Sequence, residues 1–238
     1  MSDDKRLTVL EHISEFRRRL IRGVIAVSVT TVISFIFAKQ IFEILKSPAG
    51  EINLIFIEMT EMIGTYMRVS LVSGIILAMP YLVYQLIMFI SPALTHREKK
   101  RVYLILPWIA LMFIGGVIFA YFILVPPAVK FLITFGSDIA TPQIKIGNYI
   151  SIVSRLLLSI GLVFEMPVLT TFLTRLGIIT PKWLSDKRKP AIILAFILAA
   201  IITPTFDPVN QILVAAPLII LYEISIWLAK LVQRKPAK

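Results

Sequence analysis

The stretch Val69 to Arg101, VSLVSGIILAMPYLVYQLIMFISPALTHREKKR, decides the fold class. Its first 22 residues carry no charge, and its last eleven carry four basic ones. As a helix rising 1.5 Å per residue, the uncharged part reaches about 33 Å and crosses a hydrocarbon core of about 30 Å. Working outward, further apolar runs cover Gly23 to Ala38, Val102 to Val125, Tyr149 to Leu173, Ala191 to Ile202 and Ile212 to Ala229. Nineteen of the 25 basic residues fall in segments 1–22, 91–101, 174–190 and 230–238, five fall in the other three connections, and Arg155 sits inside a run. That alternation predicts that both termini face the cytoplasm.

Composition agrees. The chain is 58% hydrophobic and 16% charged, whereas a soluble domain is roughly 45 to 50% apolar. The net charge of +11 does not point to nucleic acid, because the basic residues flank the apolar runs, where they attract anionic headgroups and orient the chain. With no cysteine there is no disulfide or thiol chemistry, and no metal or cofactor site is expected. Met1 to Arg22 is charged throughout and lacks a short apolar core with a cleavage site, so the first run is expected to remain as an anchor.

The expected fold is a single all-α polytopic membrane domain over residues 1–238, with six transmembrane helices and both termini inside. Residues 1–22 are expected to form a cytoplasmic amphipathic helix, and 39–68 and 126–148 to carry short helices capping the outer face. The fifth run has only 12 residues, about 18 Å. A re-entrant hairpin and two thin helices leave the C-terminus on the same side; two short helices in a thinned bilayer are favoured, since mismatch costs fractions of a kcal/mol per Å. Pro80, Pro107, Pro167 and Pro217 should kink their helices, giving a cupped, concave shape.

Acidic residues in unusual settings are the candidate site. Leu10, Ile13, Phe16 and Leu20 recur on one face of the N-terminal segment, with Glu11, Glu15, Arg18 and Arg22 opposite and Thr8 and Glu11 as a capping box. Glu15 reads either as part of a solvated ion-pair stripe or as an acceptor for a cationic partner. In the 91–101 connection, Glu98 can close a capping box with Thr95 and still accept a ligand, because a capped carboxylate keeps lone pairs to spare. His96 reads as solvated. Glu165 lies deep in the fourth run, where a charge costs about 2.5 to 3.5 kcal/mol, so it should face a cavity, water or a partner. Arg155, ten residues earlier and about 15 Å away along the helix, cannot pair with it directly. Glu223 reads as structural.

Enzyme chemistry finds no support. His12 and His96 lie outside the apolar runs, as do all five aspartates, and no glycine-rich phosphate loop is present.

Four motifs together resemble the TatC family of the twin-arginine protein translocase. Glu11-His-Ile-Ser-Glu15-Phe-Arg17-Arg-Arg19 is similar to that family's H-L-x-E-L-R-x-R, with Ile13 and Phe16 in place of leucines. Phe89-Ile-Ser-Pro92-Ala-Leu94-Thr-His-Arg-Glu98 resembles its F-x-x-P-x-L-x-x-x-E inner loop. Gly161 to Pro167 resembles its F-E-x-P motif, and Thr203 to Gln211 its last outer loop.

The resemblance implies a receptor in the cytoplasmic membrane for folded proteins whose signal peptides carry paired arginines, driven by the proton-motive force and working with TatA and TatB subunits. It implies that Glu15 and Glu98 accept the paired guanidinium groups beside Phe89 and that Glu165 lines the concave face; the surrounding Arg17, Arg19, Lys99 and Arg101 are expected to repel nonspecific cations. Pro48, Pro92, Leu94, Asp207 and Gln211 are its further motif positions. Membrane lipids and further copies of the chain complete the expected partners. The alternative from the residues alone is a secondary transporter with a site at Glu165 and Arg155.

Overall fold

The computed structural model describes residues 9–50, 54–90, 96–135, 137–139, 141–203 and 207–233. Ten helices carry the fold: α1 Val9–Ile36, α2 Ala38–Lys46, α3 Glu61–Ile90, α4 His96–Phe119, α5 Val125–Thr134, α6 Ile146–Phe164, α7 Met166–Arg175, α8 Pro181–Asp186, α9 Arg188–Ile202 and α10 Pro208–Val232. Two two-residue strands, β1 Leu54–Ile55 and β2 Ile144–Lys145, complete the described elements. Among the described residues, five helical segments are long and apolar enough to cross a membrane: His12–Ile36, Glu61–Phe89, Leu106–Thr134, Ile146–Arg175 and Pro208–Val232. The chain is an all-α polytopic membrane protein.

Several boundaries differ from the sequence reading. The N-terminal amphipathic segment and the first apolar run form one helix, α1, with no break at Gly23. The third run does not stop at Val125: a π-helical turn, Ala120–Leu124, leads straight into α5. Pro126 and Pro127 follow this π-helical turn, in which the Val125 N–H reaches back to the Ala120 carbonyl, and they occupy the first positions of α5. The last helix is not short. Asp207 caps it by accepting from the Asn210 N–H at 2.7 Å, and Pro208 starts it four residues before the apolar run, so α10 has 25 residues. Of the four prolines expected to kink helices, Pro80, Pro107 and Pro217 lie inside continuous α3, α4 and α10, whereas Pro167 coincides with the break between α6 and α7 at Glu165.

The main core is built around α6. Its Ile150, Val153, Leu156 and Ile160 are buried in one cluster with Leu124 and Val125 and with Ala199, Val214 and Leu218 of α9 and α10. A second cluster joins Val83 and Ile87 of α3 to Ile109 and Phe113 of α4 and Phe172 of α7. Lipid is as apolar as leucine, so close backbone approach rather than hydrophobicity holds such helices together. Two crossings show it. At Gly74 an added Cβ would lie 2.6 Å from the Thr31 Cα, and the Thr30 hydroxyl donates to the Gly74 carbonyl at 2.7 Å. At Gly116 it would lie 2.7 Å from the Phe164 ring and 3.0 Å from the Gly161 Cα.

The two long connections are tied to each other. Strands β1 and β2 pair in parallel, Leu54 with Ile144 and Ile55 with Lys145. Glu61, at the start of α3, accepts from the backbone N–H groups of Ile57 at 3.0 Å and Gly147 at 3.1 Å, while Arg68 donates to the Gly147 carbonyl. The hydroxyls of Tyr121 and Tyr149 donate to the carbonyls of Ile44 and Leu45 at the end of α2.

Candidate functional site

Helix α1 meets α3 through its small and polar stripe. Glu15, Arg19, Gly23 and Thr30 recur every four to seven residues and turn toward α3, whereas Ile13, Phe16 and Leu20 of the apolar face remain exposed. Glu15 therefore does not belong to a solvated stripe; its side chain is 22% exposed. The Arg19 Nε donates to Glu15 Oε1 at 3.0 Å, and Nη2 donates to the same oxygen. Arg19 Nη1 donates to Gln85 Oε1 on α3 at 3.3 Å. A glutamate preceding an arginine by four residues is the favourable order for such a pair.

Phe89, one turn beyond Gln85, is sandwiched from the α1 side. The His12 ring stacks on it with centroids 4.4 Å apart, and Phe16 meets it edge-on at 5.4 Å. The result is a half-buried carboxylate holding a guanidinium, with an aromatic cluster beside it. Arg17 is exposed on the same helix. Pro92, Leu94, Thr95 and the side chain of Glu98 lie outside the described residues, as does the Thr8–Glu11 capping box.

Glu165 occupies the break between α6 and α7, ending one helix and starting the next. Pro167 explains the position: it has no N–H to donate to Val163, and it fits the first turn of α7. The Glu165 side chain is 1% exposed, and neither carboxyl oxygen has a hydrogen-bond partner among the described residues. Arg155 is exposed on α6, so the two do not share a site.

Of the remaining motif residues, Pro48 lies in a short 3-10 turn, Ser47–Ala49, that ends α2. Asp207 holds the Asn210 backbone and side chain, and Gln211 donates its N–H to the Asp207 carbonyl at 3.1 Å. Two interactions were not read from the sequence. Gln85 is the only amide in the uncharged Val69–Ile90 run, a signal that could have marked it. Arg188 at the start of α9 grips Glu223 of α10 with Nε at 2.7 Å and Nη2 at 3.0 Å, so Glu223 is an interhelical tie. No group of three or more potential metal ligands occurs among the described residues.

Residues 11–217 match the family model described as Sec-independent protein translocase protein (TatC). The Sec-independent protein translocase protein TatC of Carboxydothermus hydrogenoformans is 40% identical over 235 residues, 98% of this chain and 97% of that protein. The TatC protein of Aquifex aeolicus is 43% identical, covering 96% of this chain and 97% of its own length. A solved structure described as the crystal structure of the twin arginine translocase receptor TatC superposes with a TM-score of 0.84 at 43% identity, over 94% of this chain and all of that one.

Proposed function

The chain belongs to the TatC family of Sec-independent protein translocase proteins, and on that premise we propose that it is the membrane receptor that binds signal peptides with paired arginines. It is a translocase component rather than an enzyme. With TatA- and TatB-type subunits, membrane lipids and further copies of itself, it exports folded proteins across the cytoplasmic membrane at the expense of the proton-motive force.

One observation carries this reading: Glu15 is half-buried, faces α3 and already accepts two hydrogen bonds from a guanidinium. A carboxylate placed this way suits arginine, whose planar fork binds two-pronged, better than lysine, a point charge. In the proposed complex one signal arginine displaces Arg19 from Glu15, the second reaches Glu98, and Phe89 offers a ring face to the cations. Exposed ion pairs contribute about 0 to 1 kcal/mol, so partial burial at Glu15 matters to the affinity.

Helix α9, with 15 residues and about 22 Å of length, serves as the sixth span, which places both termini in the cytoplasm. TatA- or TatB-type helices pack along its exposed Ile193, Ile197 and Ile201, and Glu165 meets a polar group on such a partner or water in the membrane.

Crosslinking of the purified chain in nanodiscs to a paired-arginine signal peptide tests the reading. Replacing both arginines by lysine, or making Glu15→Ala or Glu98→Ala, is expected to weaken binding about tenfold, equivalent to about 1.4 kcal/mol. Binding indifferent to all three changes overturns it.

A further inference from the structure

A groove of about 450 Å³ runs between α1 and α3, starting at Phe16, Arg19 and Phe89 and continuing past Leu82 to Val27 and Ile75. Its walls are almost wholly apolar, and it lies open to the surroundings: Leu20, Val24 and Leu86 on its rim are more than half exposed. Arg19 is its charged lining residue, and it stands at one end. From Arg19 to Ser28, the farthest lining residue along α1, is about 14 Å of helix, close to the depth of one leaflet of a bilayer about 30 Å thick.

A site one leaflet deep, apolar along its length and cationic at one end fits a phospholipid. The charge balance selects the headgroup. Between His12 and Arg22 the chain carries four arginines and one glutamate, and arginines near a membrane surface attract anionic lipid. We propose that this groove binds one acyl chain of an anionic phospholipid, whose phosphate takes the Arg19 guanidinium.

The consequence for Glu15 rests on the receptor reading above. Arg19 now spends two donors on Glu15. A signal arginine arriving at Glu15 leaves Arg19 without that partner in a half-buried position, which is costly unless another anion accepts it. A lipid phosphate does so bidentately. The lipid and the signal peptide therefore bind cooperatively, each raising the affinity of the other by the same factor.

Retention of phosphatidylglycerol by the purified full chain, read by native mass spectrometry without any peptide, tests the site alone. Wild type is expected to retain phosphatidylglycerol over phosphatidylcholine. Arg19→Gln and Val24→Trp, which fills the groove from its exposed rim, are expected to lower retention at least fivefold, while Leu111→Trp on the exposed face of α4 leaves it unchanged. Glycerol phosphate without an acyl chain is expected not to displace the lipid. Equal retention by wild type and both groove variants, or displacement by glycerol phosphate, overturns the proposal. Signal-peptide affinity is then compared between anionic and zwitterionic nanodiscs. A preference of about fivefold or more for the anionic disc in wild type, lost in Val24→Trp, supports the coupling; general surface attraction acts on both chains alike and cancels. If the signal peptide, rather than lipid, is what a photoreactive residue at position 24 captures in anionic discs, the groove belongs to the peptide and the lipid proposal fails. Lipid retention that follows the groove variants while paired arginines make no difference to peptide binding overturns only the receptor reading.

Discussion

Glu165 is the residue at which local chemistry and stability disagree. A carboxyl group that is 1% exposed and makes no hydrogen bond among the described residues costs about 1 to 3 kcal/mol relative to an apolar side chain of similar size. Glu165→Leu is therefore expected to raise the thermal unfolding temperature in detergent. The same substitution is expected to reduce export of a folded reporter in cells several-fold, if the carboxyl meets a partner or water during transport. Higher stability together with lower export would assign the carboxyl to transport; lower stability in Glu165→Leu would show instead that the carboxyl is part of the packing. Pro167 makes the placement possible by interrupting the backbone ladder where Glu165 sits. That much was legible in the sequence, since a lone acid followed by proline deep in an apolar run has few other readings. Glu15 was legible only in part. Its spacing to Arg19 is visible in the sequence, but the face it presents to α3 is not, because α1 packs on α3 through polar and small residues while Ile13, Phe16 and Leu20 stay largely exposed.

That inversion shapes the element. Of the five spanning segments, the first buries only 11% of its apolar window, against 33 to 44% for the others, and it leans on α3. Its attachment is a close crossing at Gly74, where a methyl group would fall 2.6 Å from the Thr31 Cα and 2.4 Å from its hydroxyl. Gly74→Ala is expected to push α1 off α3, lengthen the Thr30–Gly74 hydrogen bond and destabilise the chain by about 1 to 3 kcal/mol, read as a fall in unfolding temperature and earlier proteolysis of α1. Gly115→Ala, where nothing lies within 4 Å of an added Cβ, is the contrast: it is expected to be neutral or to gain up to about 1 kcal/mol from helix propensity. Equal losses in both would mean that the crossing is not what holds α1. Hydropathy located the runs because charge is costly in lipid, yet it misjudged their ends. A helix continues as long as its backbone can be satisfied, so the polar first turn of α10 lies outside the apolar run although it is helical, and the short helix expected within 126–148 follows the third run without a break. The crossing at Gly74 and the amide of Gln85 depend on contacts between segments far apart in sequence, which no periodicity within one segment reveals.

Across the whole molecule, one set of long connections is fastened, and on the proposed six-span topology one helix is too short for the membrane around it. The β1–β2 pairing, the Glu61 carboxylate on two backbone N–H groups and the two tyrosine hydroxyls on the end of α2 bind residues 44–68 to residues 121–149. The helices that start and end there are tied to one another at these contacts. Helix α9 at about 22 Å falls about 8 Å short of an average hydrocarbon core, while α10 beside it, at about 38 Å, exceeds it. The two are joined by Arg188 and Glu223, so α9 cannot slide to relieve the mismatch without breaking a bidentate pair. With α9 as the proposed sixth span, the bilayer thins locally instead, at fractions of a kcal/mol per Å, which sums to a few kcal/mol. Unfolding of the chain in phosphatidylcholine nanodiscs with acyl chains of increasing length is therefore expected to show greatest stability in the thinner bilayers and a steady loss of a few kcal/mol toward the thicker ones. Arg188→Gln removes the pair with Glu223 but leaves Ala199 packed with Val214 and Leu218, so it is expected to weaken the dependence only slightly, by at most about 1 kcal/mol. A single-span TatA- or TatB-type partner covering α9 should flatten it, because the thinned lipid would be replaced by protein. A stability indifferent to bilayer thickness in the wild-type chain would mean that α9 does not contact the lipid core along its length, and that it packs as a re-entrant element.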